Sequence, residues 1–177
     1  VNISGCDLVD VDLAARLAQL FEKEGFAAQW ITLEVTENAI VGEPGHALKN
    51  LERLHALGCK LALDDYGTGY STLAYLRRLP LDELKIDKSF TMGMMADAGD
   101  SLIVRSTIEL AHKLGLAVIA GGVEDEATLN ELRALGCDAV QGFLVSRPLA
   151  AEDVPSWVRE SPWTRPAREK TSLRRVS

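Results

Sequence analysis

The segment LGCKLALDD, residues 57–65, combines a helix-ending glycine with a short apolar run, and this combination predicts the fold of the chain. Gly58 stands where the preceding helix must end in a left-handed residue, and residues 60–63 form a short apolar run typical of a buried strand. The same leucine–glycine pair, followed by a nonpolar residue, recurs at residues 114–116 and 135–137. A helix end that leads directly into a strand, repeated along the chain, predicts a series of βα units.

Strand-like runs alternate with helical periodicity on both sides of this segment. We predict strands over residues 1–4, 31–35, 60–63, 83–86, 117–120 and 139–143, and helices over residues 11–24, 45–57, 70–78, 101–114 and 127–135. Such alternation indicates an α/β fold, a parallel sheet covered by helices. A closed (β/α)8 barrel needs eight strands in about 250 residues, so we predict a TIM-like barrel with about six of its eight βα units present. The alternative is an open sheet, whose edges would expose unpaired backbone groups.

The composition fits one globular domain and excludes several classes of protein. Of 177 residues, 47% are hydrophobic and 25% charged, which is ordinary for a chain that buries a core. The net charge of −7 argues against DNA or RNA binding, so an anionic ligand needs metal ions or local cations. Three separated cysteines suggest neither disulfides nor a zinc site. No apolar run approaches the roughly 18 residues of a membrane span, so we expect a cytoplasmic chain without membrane contact.

The two ends of the chain differ from its middle. The sequence begins without methionine on strand-like residues, and we expect upstream chain to have been cut away. Residues 161–177 lose the periodic pattern and are rich in arginine and proline. We therefore predict one domain over residues 1–160, truncated at its N-terminus, and a flexible basic tail over residues 161–177.

Acidic and amide side chains lie at the ends of several predicted strands. Active sites of β/α barrels form at the carboxyl ends of the strands, so these side chains are expected to converge. Adjacent carboxylates are costly without a cation, and oxygen ligands suit Mg²⁺ or Mn²⁺. A helix cap or loop pair is the alternative for Asp64 and Asp65 taken alone, and an ordinary charged strand end for Glu34. The residues concerned are Asn2, Glu34, Asp64, Asp65, Lys85, Asp87, Glu124 and Gln141.

Six motifs in fixed order resemble the EAL family of cyclic di-GMP phosphodiesterases over about residues 1–150. They are Val1-Asn2-Ile3-Ser4, Leu33-Glu34-Val35-Thr36-Glu37, Asp64-Asp65-Tyr66-Gly67-Thr68-Gly69-Tyr70-Ser71, Leu84-Lys85-Ile86-Asp87, Gly122-Val123-Glu124 and Val140-Gln141-Gly142-Phe143. The resemblance implies hydrolysis of cyclic di-GMP to pGpG with two Mg²⁺ or Mn²⁺ ions.

The resemblance also implies roles for individual residues. Asn2, Glu34 and Asp64 would bind one metal, Asp64 with Asp65 the second, and Lys85 would contact the attacking water or the phosphate. Glu37 would anchor the loop that holds Gly67, Gly69, Tyr70 and Ser71. Glu124 would support the catalytic groups from behind, and Gln141 would lie near the metals and the ligand.

Two departures from the family pattern predict little or no hydrolytic activity in this chain. The Glu-Ala-Leu motif, which lies upstream of the first strand in relatives, is missing. Where the family reads Ala-Glu-Gly-Val-Glu, residues 120–124 read Ala-Gly-Gly-Val-Glu, so Gly121 replaces a glutamate associated with metal binding and water activation. Loss of acid–base assistance alone typically costs about 10² to 10⁴ in rate.

Other functions remain open on the sequence alone. One alternative is a degenerate receptor that binds cyclic di-GMP without cutting it. Another is a regulatory or dimerising module whose missing strands come from a partner. The resemblance further suggests a homodimer, and an upstream sensory or GGDEF-type domain that could anchor the full-length protein to a membrane.

Overall fold

The computed structural model describes residues 1–41, 44–69 and 76–164. Within them, six strands form one sheet in chain order, and each strand is parallel to the next. The α/β fold and all six predicted strands are confirmed, and β1 and β6 are the edges of the described sheet. The strands are β1 Asn2–Ile3, β2 Thr32–Thr36, β3 Lys60–Tyr66, β4 Glu83–Ile86, β5 Ala117–Ala120 and β6 Ala139–Val140.

Helices connect the strands and cover the sheet. The longer ones follow the predicted periodicity, and the left-handed residue expected after them is present at Gly58, Gly115 and Gly136, with φ of 101°, 79° and 83°. The helices are α1 Gly5–Leu8, α2 Leu13–Glu24, α3 Glu37–Val41, α4 Pro44–Ala56, α5 Lys88–Gly93, α6 Ala98–Leu114, α7 Glu126–Ala134 and α8 Val154–Glu160, with 3₁₀ turns at Ala28–Trp30 and Pro162–Thr164.

The hydrophobic core lies between the sheet and these helices. Leu61 and Leu63 on β3 are fully buried, as are Leu51 and Leu54 on α4, and all four belong to one apolar cluster. Alternate residues of a strand point to opposite faces, so Asp64 projects away from the face that carries Leu61 and Leu63. One face of β3 is therefore apolar and packs against the helices, and the opposite face carries Asp64.

The elements differ from prediction where local capping and packing decide them. Helices α1, α3, α5 and α8, of four to seven residues, were not predicted because they are too short for periodicity to show. Helix α6 starts at Ala98, before residue 101, because Asp97 accepts hydrogen bonds from the amides of Gly99 and Asp100. Strand β6 ends at Val140, and the predicted continuation to residue 143 is wrong. There the Leu144 amide donates to the Val123 carbonyl at 3.1 Å, which turns the chain out of the sheet.

Two predicted segments fall largely outside the described residues. Of the helix predicted over residues 70–78, only Leu76 is assigned as helical in the described part. The described chain runs through a buried Ser161 into the 3₁₀ turn Pro162–Thr164, and the rest of the predicted tail, residues 165–177, lies beyond it. None of the helices in the described ranges is long and apolar enough to cross a bilayer.

Candidate functional site

The register of the first three strands places several predicted ligands on one face of the sheet. Asn2 is the Cα partner of Glu34, and Asp64 is the partner of Thr36, two residues further along β2. Partners in neighbouring parallel strands project to the same face, and so do residues two apart on one strand. Asn2, Glu34 and Asp64 therefore share the polar face near the carboxyl ends of the strands, as predicted.

Lys85 lies at the centre of this group. Its ammonium Nζ donates to Glu34 Oε2 at 2.7 Å and to Asp64 Oδ2 at 3.1 Å, and its side chain is only 8% exposed. Burial opposes the charged form, but the hydrogen bonds to the two carboxylates outweigh it and raise the pKa of Lys85. The amine is therefore a fixed positive charge that is shared by two carboxylates from different strands and offsets one of their two negative charges.

A β-bulge at the end of β3 brings the adjacent carboxylates into the site. The pairing of β3 with β4 shifts by one residue between Leu63 and Tyr66, and Asp65 has a left-handed φ of 56°. The Asp65 amide donates to the side chain of Asp64, at Oδ1 and 3.0 Å, and not to a neighbouring strand. Without the extra residue, the alternation of the strand would turn Asp65 toward the helices.

Asp65 interacts directly with Asp87, the residue that follows β4. Burial, followed by the nearby charges of Asp64 and Asp87, raises the pKa of Asp65. Burial acts in the same direction on Asp87, but hydrogen bonds from Ser89 outweigh it and lower the pKa of Asp87. The two neighbouring carboxyl groups therefore differ in acidity, and Asp65 holds a proton more readily than Asp87. Asp87 also caps helix α5 by accepting the Ser89 amide at 2.9 Å.

A cavity of about 700 Å³ opens beside these carboxylates. Its size suits a ligand of several rings, and its lining combines acidic, basic and apolar groups. Two predicted residues beyond β4, Glu124 and Gln141, line it together with Asp64, Asp65 and Lys85, so the structure brings these five together. The remaining lining residues are Ile86, Asp87, Lys88, Met92, Gly121, Gly122, Gly142 and Phe143.

Gly121 lies in the lining at the end of β5, where a side chain would face the cavity. Its amide donates to the Ile86 carbonyl at 3.1 Å. A Cβ at this position would lie 3.2 Å from that carbonyl oxygen, a close contact that a small shift relieves. Unlike Gly122, whose φ is 72°, Gly121 does not need a left-handed backbone. The backbone conformation therefore does not require glycine here, and the Ile86 carbonyl is the atom that a side chain would press against.

The predicted support residues surround the turn after the bulge. Glu37, the first residue of α3, is buried, and its carboxylate lies so close to Gly69 that a Cβ there would collide with it. Gly67 has a φ of 99° and approaches the Phe90 ring in the same way. Tyr70 and Ser71, also predicted for this loop, lie outside the described residues.

The donor set fits a hard divalent cation in its chemistry. Glu34 and Asp64 already direct oxygens at one positive charge, the ammonium of Lys85, and Asn2 adds an amide on the same face. Within residues 1–41, 44–69 and 76–164, however, no three His, Cys, Asp or Glu side chains are grouped closely enough to form a metal site. The predicted assignment of Asn2, Glu34, Asp64 and Asp65 as metal ligands stays a prediction.

Sequence reasoning missed several residues that line the cavity. Lys88 directly follows Asp87, so the rule that found the other strand ends could have included it. Met92 and Phe143 carried no such signal, because apolar residues in a helix and near a strand normally belong to the core. Both are instead well exposed, at 59% and 51%.

Comparison with known sequences agrees with this geometry. A model of the EAL domain family matches residues 1–148. The cyclic di-GMP phosphodiesterase NbdA of Pseudomonas aeruginosa is 44% identical over 159 residues, which are 90% of this chain and 20% of NbdA. The bifunctional diguanylate cyclase/cyclic di-GMP phosphodiesterase MucR of the same species is 38% identical over 154 residues, 87% of this chain and 22% of MucR. The chain thus spans about a fifth of the length of these relatives.

Solved structures give the same result. The PaMucR phosphodiesterase in complex with c-di-GMP has a TM-score of 0.83 at 38% identity, covering 87% of this chain and 62% of that one. The EAL domain of Mycobacterium smegmatis DcpA has a TM-score of 0.84 at 36% identity, covering 90% and 72%. The manganese and cyclic di-GMP complex of Klebsiella pneumoniae BlrP1 has a TM-score of 0.78 at 32% identity, covering 84% and 38%.

Proposed function

The chain belongs to the EAL domain family, and from that premise we propose that its cavity binds cyclic di-GMP but that the chain hydrolyses it little or not at all. The observation that carries the proposal is the convergence of Glu34, Asp64 and Lys85 from three strands, with Asp64 and Lys85 in the lining of the cavity. Similar proteins of known structure, PaMucR and BlrP1, hold cyclic di-GMP.

In the proposed site, side chains of the first three strands hold divalent cations. Asn2, Glu34, Asp64 and Asp65 would bind Mg²⁺ or Mn²⁺, which when bound would activate water and neutralise charge on the phosphate. Lys85 keeps Glu34 and Asp64 in place and supplies a cation to the phosphodiester. Lys88, also in the lining, gives a second positive charge in an otherwise acidic cavity.

The remaining predicted residues position the ligand and the loop. Gln141 offers an amide to the ligand, and Glu124 supports the catalytic groups from the loop after β5. Glu37 holds the turn at Gly67 and Gly69 from its buried position on α3. These assignments rest on the family resemblance together with the placement of the side chains around the cavity.

Weak hydrolysis is proposed because Gly121 cannot replace a carboxylate. Glycine has no group that takes a proton or binds a cation, and acid–base assistance alone is typically worth about 10² to 10⁴ in rate.

The second candidate function is a receptor that binds cyclic di-GMP without metal. The observation that favours it is the ammonium of Lys85, which binds both Glu34 and Asp64 and offsets one of their two negative charges with no divalent ion. On this reading the cavity accepts the dinucleotide directly, and an attached domain responds to the bound state.

Two measurements on the purified chain test these proposals. Isothermal titration with cyclic di-GMP, with and without Mg²⁺, separates them, because binding that survives chelation favours the receptor. Chromatography of reactions with Mn²⁺ reports pGpG, and we expect no product above the protein-free control. Efficient conversion would show that Gly121 is compatible with catalysis, and failure to bind cyclic di-GMP under either condition would remove both candidates.

We also propose a cytoplasmic homodimer that works with an upstream sensory or GGDEF-type domain. The edges of the described sheet at β1 and β6 favour a partner, and the name of the relative MucR describes a bifunctional protein. Sedimentation over a wide range of protein concentration tests the dimer, and a monomer throughout would contradict it.

A further inference from the structure

All three methionines of the chain lie in one short segment that follows β4. Met92 is on α5, and Met94 and Met95 come directly after that helix. Met92 is 59% exposed and Met95 55%, whereas Met94 is 4% exposed and belongs to the core. Of the three, all of which the structure describes, only Met92 is in the lining of the cavity. The segment therefore presents one thioether to the cavity, one to the surface outside it and one to the interior.

The side chain of Met92 forms part of the cavity wall. Lys88, one turn earlier on α5, also lines the cavity, so the two side chains lie on the same face of the helix. A Cβ added at Gly122 would lie 2.5 Å from Lys88 Cβ and 3.6 Å from Met92 Cγ. Both side chains are therefore close to the loop after β5, which leads to Glu124 in the lining. A chemical change at Met92 takes place within the cavity, beside a cation and this loop.

The thioether sulfur is the atom of an exposed methionine that hydrogen peroxide oxidises. A sulfur lone pair attacks one peroxide oxygen, and the S–O bond forms as the O–O bond breaks. The displaced hydroxide takes the proton of the transferred hydroxyl and leaves as water, so sulfur loses two electrons and the peroxide gains them. The product, methionine sulfoxide, is polar, and its oxygen is a stronger hydrogen-bond acceptor than the thioether sulfur. Enzymatic reduction of the sulfoxide restores the thioether, so the change is reversible.

We propose that Met92 is an oxidative modification site and that its sulfoxide weakens binding in the cavity by withdrawing Lys88. Across one helical turn the sulfoxide oxygen is within reach of the Lys88 ammonium and accepts a charge-assisted hydrogen bond from it. The ammonium then turns from the cavity toward its own helix. Burial protects Met94, and Met95, which is exposed to a similar extent as Met92, lies outside the lining. The effect on a ligand rests on the function proposed above, whereas the oxidation and the contact with Lys88 do not.

Treatment with hydrogen peroxide, followed by peptide mass spectrometry and amide NMR, tests the site itself. Met92 and Met95 should gain oxygen at least about tenfold faster than Met94 in the folded chain, because only opening of the core exposes Met94. The amide signal of Gly122 should shift on oxidation of the unaltered chain and of Met95→Leu, but not of Met92→Leu, which keeps the volume without the sulfur. Equal rates at Met92 and Met94, or a Gly122 shift that persists in Met92→Leu, would overturn the proposal.

Isothermal titration of cyclic di-GMP before and after oxidation tests the consequence for binding. Oxidation should raise the Kd about threefold to tenfold in the unaltered chain and in Met95→Leu, and a methionine sulfoxide reductase should restore it. Met92→Leu and Lys88→Ala should keep the same Kd after oxidation as before. No rise in the unaltered chain, or an equal rise in Met92→Leu or Lys88→Ala, contradicts the inference. If the untreated chain does not bind cyclic di-GMP, the proposed function fails, and the oxidation rates and the Gly122 signal alone decide the inference.

Discussion

Replacing Lys85 with methionine tests whether this amine neutralises the site. Methionine keeps the length and the apolar stem of the side chain but removes the charge that Glu34 and Asp64 share. The two carboxylates would then lie close together, partly buried, with no cation between them. We expect a large loss of stability at neutral pH, because each ionised group keeps its desolvation cost and loses its partner.

The size of the effect follows from the exposure of the three side chains. Lys85 is 8% exposed, while Glu34 and Asp64 are 25% and 20% exposed. Removing one partner of a fully buried ion pair costs about 3 to 5 kcal/mol, and partial solvation of the carboxylates reduces this to about 2 to 3 kcal/mol. At about 2 to 4 °C per kcal/mol for a chain of this size, Tm should fall by about 4 to 12 °C.

Urea unfolding followed by circular dichroism measures the loss, and Lys60→Met is the matched control. Lys60 lies 3.9 Å from Glu83 and is 55% exposed, so its removal should cost less than about 0.5 kcal/mol. Adding Glu34→Gln to Lys85→Met should recover part of the loss and give a coupling energy above about 1 kcal/mol. Mn²⁺ should stabilise Lys85→Met more than the unaltered chain, since it replaces the missing charge. A cost as small as that of Lys60→Met, with no coupling, would refute the reasoning.

Three further predictions concern other parts of the site and the sheet. Gly142→Ala should lower the unfolding free energy by about 2 kcal/mol or more, because the added Cβ collides with the Val123 backbone. Gly121→Glu should tighten Mn²⁺ binding about tenfold in calorimetry, because a new carboxylate joins an acidic cavity. The hydrogen bond from His112 is the largest cause of the lowered pKa of Asp138, so Asp138 adds stability above its unfolded pKa of 3.8 and loses it as pH falls below that value. In urea unfolding, Asp138→Asn should therefore be less stable than the unaltered chain at pH 6, with the difference shrinking toward pH 3.

Each of these predictions has a control and an outcome that contradicts it. Gly45→Ala, where an added Cβ meets nothing within 4 Å, should leave stability unchanged or raise it, and an equal loss at Gly142 and Gly45 would rule out the proposed collision. Gly121→Gln has the size of glutamate without its charge, so equal Mn²⁺ affinity in both variants would exclude the charge effect. A constant difference between Asp138→Asn and the unaltered chain from pH 6 to pH 3 would show that the carboxylate of Asp138 does not stabilise the fold through its ionisation.

Local pattern was enough to predict the sheet and the meeting of several polar side chains at the ends of its strands. Short apolar runs and the glycines that end the helices located all six strands, because strand burial and helix termination each have a local chemical signature. The convergence of Glu34, Asp64 and Lys85 followed from a general property of parallel sheets, namely that carboxyl ends of strands share one edge.

Contacts between distant segments could not be read from the sequence. The early end of β6 depends on Gly142 meeting Val123, and the ring of Phe143 is exposed only because of that packing. The bulge at Asp65 was equally hidden, since an extra residue in a strand leaves no periodic trace. The role of Lys85 as a bridge between two carboxylates depends on side-chain directions that only the folded sheet fixes.

The left-handed backbone conformation at Asp65 restricts which amino acids this position accepts, independently of any role of the carboxylate in binding or catalysis. Glycine and asparagine adopt a φ of 56° readily, whereas valine and isoleucine would strain the strand end. In a saturation library, the survivors should therefore be glycine, asparagine and aspartate, whatever their charge. Asp65→Asn isolates the carboxylate, while Asp65→Val mainly reports the backbone.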